Sequence, residues 1–336
     1  MTLHQRAALA LALTLALTAG GAQAGPSGYH IAERIAGPDG GWDYAAVDTL
    51  HNVVMVSRGA HVMTIDLASK AVNGAFADAS GAHAALPING GAQVLITNGK
   101  SDTATIVDGV SGALLATIAT GKNPDAATFD ASTGLVLVMN HSGGDITLID
   151  PVARKAVGAI TIGGKLEAAA VDGAGKAFVN VEDLNEVVAI NLKTRKVLAH
   201  YKLVGCEGPT GIAYAPADKL LITTCDGVAD VLSAQSGKSV AMIKIGDGAD
   251  GVVFDPKSKL AFASAGESGT VSVISIAGGK ARLVDTVATQ TRARTIALDP
   301  RDGALYLPTA KSGPPTTPGS RATTLPGSFE VLVLRR

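Results

Sequence analysis

The sequence predicts an all-β fold, a seven-bladed β-propeller with four antiparallel strands per blade and a ring closed by the N-terminal strand joining the last blade. Two observations predict it. First, a short β-rich run ending in a small polar residue recurs as Met63-Thr-Ile-Asp66, Thr105-Ile-Val-Asp108, Thr147-Leu-Ile-Asp150, Val188-Ala-Ile-Asn191, Asp230-Val-Leu-Ser233 and Ser272-Val-Ile-Ser275. The terminal positions 66, 108, 150, 191, 233 and 275 are separated by 42, 42, 41, 42 and 42 residues, a repeat at the length of one propeller blade. Second, Asp48, Asp130, Asp172, Asp255 and Asp299 each close another apolar run, and Ile88 and Ala215 fill the two missing places. That makes seven copies.

Each copy holds four strand-like segments. In the third they read 125–129, 135–140, 145–149 and 156–161, separated by the Gly, Asn, Asp and Ser that β-turns use. A helical period of 3.6 is absent after residue 24. His30 to Ala36 would be unpaired as a lone strand, and it resembles the fourth strand of other copies. Phe329 to Leu334 resembles a third strand, so the two chain ends are expected side by side in the last blade. The last copy carries an extra Gly/Pro/Thr-rich stretch, 311–328, expected to be an irregular loop because Pro and Gly disfavour regular ladders. It reads either as a spacer or as a cap over the ring opening.

Residues 1–24 read as a secretory signal. Arg6 supplies the positive start, Ala7 to Leu17 the apolar run, and Ala22-Gln23-Ala24 the small-x-small cleavage pattern. Residues 25–336 then form one domain, periplasmic or secreted, with no later stretch long and apolar enough to span a membrane. A net charge of −1 with no Lys/Arg-rich stripe argues against a nucleic-acid partner. Only 4% of residues are aromatic, which argues against a carbohydrate cleft walled by stacked rings. A monomer is expected.

The repeat aligns one position per copy, five residues before the second landmark: Asp43, His83, Asp125, Glu167, Thr210, Asp250 and Arg294. It starts the innermost strand, so the seven side chains should ring one mouth of a central channel. Six of the seven are ionisable types, and charges at a dry mouth need partners or water. The set admits several readings. Asp125, Glu167 and Asp250 could ligate a divalent cation. Arg294 could pair a ligand's carboxylate or phosphate. His83 is the best candidate for proton transfer. The charges could also simply offset one another in solvent.

Loops joining second and third strands should open on the same face. They carry Arg58, His61, Asn98, Lys100, Asn140, His141, Glu182, Asp183, Asp226 and Glu267. His141, at a strand end, is the best of these as a ligand contact. Trp42, the only tryptophan, would wall a ligand site or pack between blades. Cys206 and Cys225 fall at the same end of adjacent antiparallel strands, which makes a disulfide geometrically reasonable. The signatures of α/β-hydrolase serine elbows, phosphate loops, His-Glu-x-x-His metalloproteases and c-type haem attachment are missing.

The repeat residues, such as Ile149-Asp150-Pro-Val-Ala-Arg-Lys155 and Val107-Asp108-Gly-Val-Ser-Gly112, resemble the YVTN-type propeller repeat. Residues 29–336 resemble the exported YncE-like family, through Gly41-Trp42-Asp43-Tyr44, Gly121-Lys-Asn-Pro-Asp125, Cys206-Glu-Gly-Pro-Thr-Gly211, Ala293-Arg294-Thr295 and Tyr306-Leu-Pro-Thr-Ala310. The resemblance implies seven blades. Related propellers include lactone hydrolases, so a lactonase-like activity is the alternative by analogy. The expectation is therefore an exported propeller that binds a small molecule, metal ion or protein partner at the mouth. Alternatives are a lactonase-like hydrolase using the same residues and a pure interaction scaffold.

Overall fold

The polar residue that ends each repeated run caps the turn that follows. Asp66, Asp108 and Asp150 each accept, through Oδ1, the backbone N–H two residues on, at 3.0, 3.1 and 2.9 Å. Asp172, Asp255 and Asp299 do the same at the second landmark. This side-chain turn explains why the repeat is visible in the sequence, since Asp, Asn and Ser are the residues that can make it. The computed structural model describes residues 26–315 and 322–336. Residues 1–24, expected to be a secretory signal, lie outside the described residues.

Sheets form in chain order. A seven-stranded antiparallel sheet runs from Ala45–Asp48 to Leu114–Ala119. It contains two four-stranded units that share the 17-residue strand Val72–Ile88. Residues up to Ala82 pair backwards with Gly59–Asp66, and residues from Ala82 pair forwards with Gln93–Asn98. Units three to six are separate four-stranded sheets that start at Pro124–Asp130, Leu166–Val171, Ile212–Ala215 and Ala249–Asp255. The seventh runs Ala297–Leu298, Leu305–Thr309, Glu330–Arg335, His30–Ala36. The N-terminal strand thus lies antiparallel to the C-terminal one, as expected, with Ala36 opposite Glu330.

One expectation fails in part. Within 311–328, Ser312–Pro315 and Ala322–Thr324 form a two-stranded ladder instead of an irregular loop. The ladder is isolated from the other sheets and shifts register between Gly313 and Pro315. The missing proline donors therefore interrupt no central ladder.

The second and third strands of the units are covered on both faces, which makes their sequences nearly continuous apolar runs, whereas the fourth strands, such as Lys196–Lys202, alternate with exposed residues. In Val53–Ser57, Val54 and Val56 face one apolar layer while Val53 and Met55 face another. Seven such layers lie between consecutive units. One joins the last unit to the first, packing Tyr306, Val331 and Val333 against Val54, Val56 and Met63. The starting strands of the units also touch in succession, and Ala297–Leu298 touches Ala45–Asp48. They enclose a cavity of about 420 Å³ lined by Ala45, Val47, Ala170, Ala213, Val253 and Ile296, among others.

Candidate functional site

Hydrogen bonds between neighbouring units bring the aligned positions together. The Thr97 hydroxyl donates to the Asp125 carbonyl, Thr210 to Ala249 and Thr295 to Asp43, at 2.6, 3.1 and 2.8 Å. Tyr44 N–H donates to the His83 carbonyl at 3.1 Å. The side chains that start the innermost strands then form two groups.

The first group is fully paired. His83 Nδ1 donates to Asp43 Oδ2 at 2.7 Å and lies 3.6 Å from Asp125 Oδ1. Arg294 bonds Asp250, sits 3.4 Å from Asp43 Oδ1, and donates to the Trp42 carbonyl at 3.3 Å. Burial opposes the Arg294 charge, but Asp250 and Asp43 outweigh it and hold its pKa above the usual value. The hydrogen bond to Asp43 raises the His83 pKa, against the effect of burial.

The second group makes close approaches but no side-chain hydrogen bonds. Asp125 Oδ1 and His141 Nδ1 are buried without a hydrogen-bond partner. Glu167, only 9% exposed, lies with Oε1 2.9 Å from His141 Nδ1 but without hydrogen-bond geometry. Burial pushes the Asp125 carboxyl up to about 7, with Asp43 adding to the shift and His83 opposing it. Burial pushes Glu167 up to about 9, and the nearby Asp125 and Asp250 carboxylates add to it.

Other expected residues are placed elsewhere. Thr210 ties strands together and carries no charge into the cluster. Asp250 bonds Arg294, and the residue whose donor atom lies close to those of both Asp125 and Glu167 is His141. Trp42 packs between the last and first units, 5.6 Å from Phe329, with the Arg292 guanidinium 4.8 Å from its ring centre. Arg58 bonds the Pro38 and Gly41 carbonyls, and His61 makes an exposed pair with Asp78. Asn98 and Asn140 bond within their own sheets. Asp183 and Asp226 accept the loop N–H groups of Lys165 and Gly248, and Glu182 lies in a short 3-10 turn. Glu267 lies against Gly248. Cys206 and Cys225 form the expected disulfide, with Cα atoms 5.3 Å apart.

Tyr44 was not anticipated. It packs against the apolar layer of units three and four, opposite its own strand. Burial raises its pKa well above the usual value, and Asp125 and Asp250 add to the effect. A signal was present: the residue after each aligned position is Tyr44, Ala84, Ala126, Ala168, Gly211, Gly251 and Thr295. Tyr44 is the single bulky member, so it fills the space the small ones leave.

A second cavity, about 300 Å³, opens beside the paired group. Trp42, Asp43, His83, Lys100 and Asn123 line it with Gly41, Gly59, Gly81 and Gly99. A side chain at Gly99 would strike His83 Nε2 and Asn123 Oδ1, 2.6 and 2.5 Å from the position of its Cβ. Lys100 makes no ion pair among the described residues.

No family model and no curated protein sequence matches the chain. Solved structures do. One chain of the mitotic checkpoint complex superposes with a TM-score of 0.77 at 15% identity, covering 99% of both chains. A chain of Kuenenia stuttgartiensis hydrazine synthase superposes with a TM-score of 0.70 at 16% identity, covering 80% of this chain and 92% of the other. The fold is of the β-propeller type. At such identities the likeness concerns the fold alone. No helix among the described residues is long and apolar enough to cross a membrane.

Proposed function

We propose that the chain is an exported, closed, seven-bladed propeller that binds a small polar ligand at one mouth of its channel. Closure is supported by the apolar layer and the Thr295–Asp43 bond that join the last unit to the first. Export is supported by the disulfide, which suits an oxidising compartment, together with the signal-like residues 1–24.

The observation that carries ligand binding is the glycine-walled cavity beside His83. Small polar ligands need a concave site with a few convergent polar groups. Here the four glycines bring backbone to the wall, and His83, Asn123 and Lys100 supply the polar groups. Arg294 is already held by two carboxylates, so Lys100 is the cation that can meet a ligand's anionic group. Small hydroxy acids and sugar acids fit this chemistry. The test is a thermal-shift screen of such acids, and of neutral sugars, on the wild-type chain and Lys100→Ala. An acid that raises the wild-type midpoint and loses its effect in the variant supports the site. A screen without any shift, or a shift equal in both chains, overturns it.

One observation favours the hydrolase alternative. His83 Nδ1 donates to Asp43, which leaves Nε2, on the cavity side, to take a proton from a water. That is how an acid–imidazole pair acts as a general base. Turnover of small lactones, abolished in His83→Gln, would select this reading over binding alone.

A further inference from the structure

We propose that Asp125, His141 and Glu167 form a divalent-cation site at the channel mouth, with positions left open for water or a ligand. The inference deepens the mouth-binding reading and rests on it. Its donors come from three places: the start of Pro124–Asp130, the loop after Leu135–Asn140, and the start of Leu166–Val171. Their ligand atoms all lie within 4.8 Å of one another.

Three further observations point to an ion. First, Asp125 Oδ1 and His141 Nδ1 are buried and unpartnered, and Glu167 is nine-tenths buried with no hydrogen bond. Buried polar groups in that condition are costly unless something binds them. Second, the backbone holds the donors in place without an ion. His141 N–H donates to the Asn123 carbonyl at 2.9 Å, and its carbonyl accepts from Leu166 N–H at 3.3 Å. His141 is thereby fastened beside both other donors. Third, the two nearest cations are already engaged. Arg294 bonds Asp250, and His83 donates to Asp43 while standing 3.6 Å from Asp125, which leaves Asp125 and Glu167 as the carboxylates without a hydrogen bond, to balance one divalent ion.

The donor set narrows the metal. Two carboxylates and one imidazole suit Zn²⁺, Mn²⁺ or Fe²⁺. Calcium prefers six to eight oxygen ligands, more than this set provides. The other triad, Asp43, His83 and Asp125, is a weaker donor set, because His83 Nδ1 already donates to Asp43.

The experiment uses the untagged chain, stripped with a chelator and dialysed. Zn²⁺, Mn²⁺ and Ca²⁺ are titrated separately by calorimetry, and the metal content of the saturated protein is measured. Glu167→Gln and His141→Gln keep side-chain size, and their metal-free unfolding is recorded to show that they fold. His83→Gln reports on the competing triad. The expected result is one equivalent of Zn²⁺ or Mn²⁺ in the wild type. Binding should weaken at least about tenfold in Glu167→Gln and His141→Gln, and little in His83→Gln. Three results would overturn the site: no saturable binding by the wild type, equal binding by the Glu167 and His141 variants, or loss confined to His83→Gln. An acid that still shifts the wild type through Lys100 would then leave the mouth-binding reading standing.

Discussion

The innermost strands end differently from how they begin, although both ends carry acidic residues. At the closing ends, Asp48, Asp255 and Asp299 are buried and their oxygens are taken up locally. Asp255 accepts from Lys257 N–H, Ser258 N–H and the Ser258 hydroxyl. Asp299 accepts from Arg301, whose hydrogen bonds lower its pKa against the effect of burial. At the starting ends, Asp125 and Glu167 have no donor from their own turns, and burial drives both upward. The same residue class is taken up by its own turn at one end and left without a side-chain hydrogen bond at the other. What separates them is the supply of nearby N–H and O–H donors, not burial.

That contrast can be broken or sharpened experimentally. The largest effect belongs to the starting end of unit five, where Thr210 brings no charge and a disulfide ties the sheet. Cys206→Ser with Cys225→Ser should cost about 3 kcal/mol, the chain-entropy value for a loop of this size, read by urea unfolding. Next, Asp255→Ala removes a turn cap and leaves its donors unmet. A loss of about 2 kcal/mol is expected, and a loss below about 0.5 kcal/mol would erase the distinction between the ends.

At the starting end the direction reverses. Asp125 and Glu167 bind protons more tightly in the folded chain than in the unfolded one. Between pH of about 4 and about 9 the folded state therefore holds more protons, and the stability of the metal-free protein falls as pH rises. The raised His83 value acts in the same direction. Unfolding midpoints recorded across that range should decline in the wild type and flatten in Asp125→Asn/Glu167→Gln. At pH 8, Asp125→Asn alone should be neutral or stabilising, within about 1 kcal/mol, because it removes a buried charge without cutting a side-chain hydrogen bond. The smallest effect is expected for His61→Ala. Its pair with Asp78 is exposed, so a change near zero by denaturant unfolding is the expected outcome.

Much of this was legible in the residues. The 42-residue period follows from turn caps that only a few side chains can make, so Asp66, Asp108 and Asp150 mark it openly. The pairing of the chain ends was legible because an unpaired strand and an incomplete unit need each other. Counting one position per copy also located Asp43, His83, Asp125, Glu167, Asp250 and Arg294 at one end. It could not say which would pair. Arg294 takes Asp250, and His141 reaches Glu167 from a loop that lies outside the aligned position.

The sequence by itself therefore determined the repeating unit, the apolar layers and the disulfide-compatible cysteines. Each of these depends on local turn chemistry or strand alternation, which a linear chain records. Tertiary structure alone decided the partnering of charges, the passage of Tyr44 across to units three and four, and the glycine-walled cavity. Those depend on distances between residues some 40 to 250 positions apart in the chain, as between His83 and Asp43 or Arg294 and Asp43. Such distances exist only after the apolar layers have stacked the units against one another.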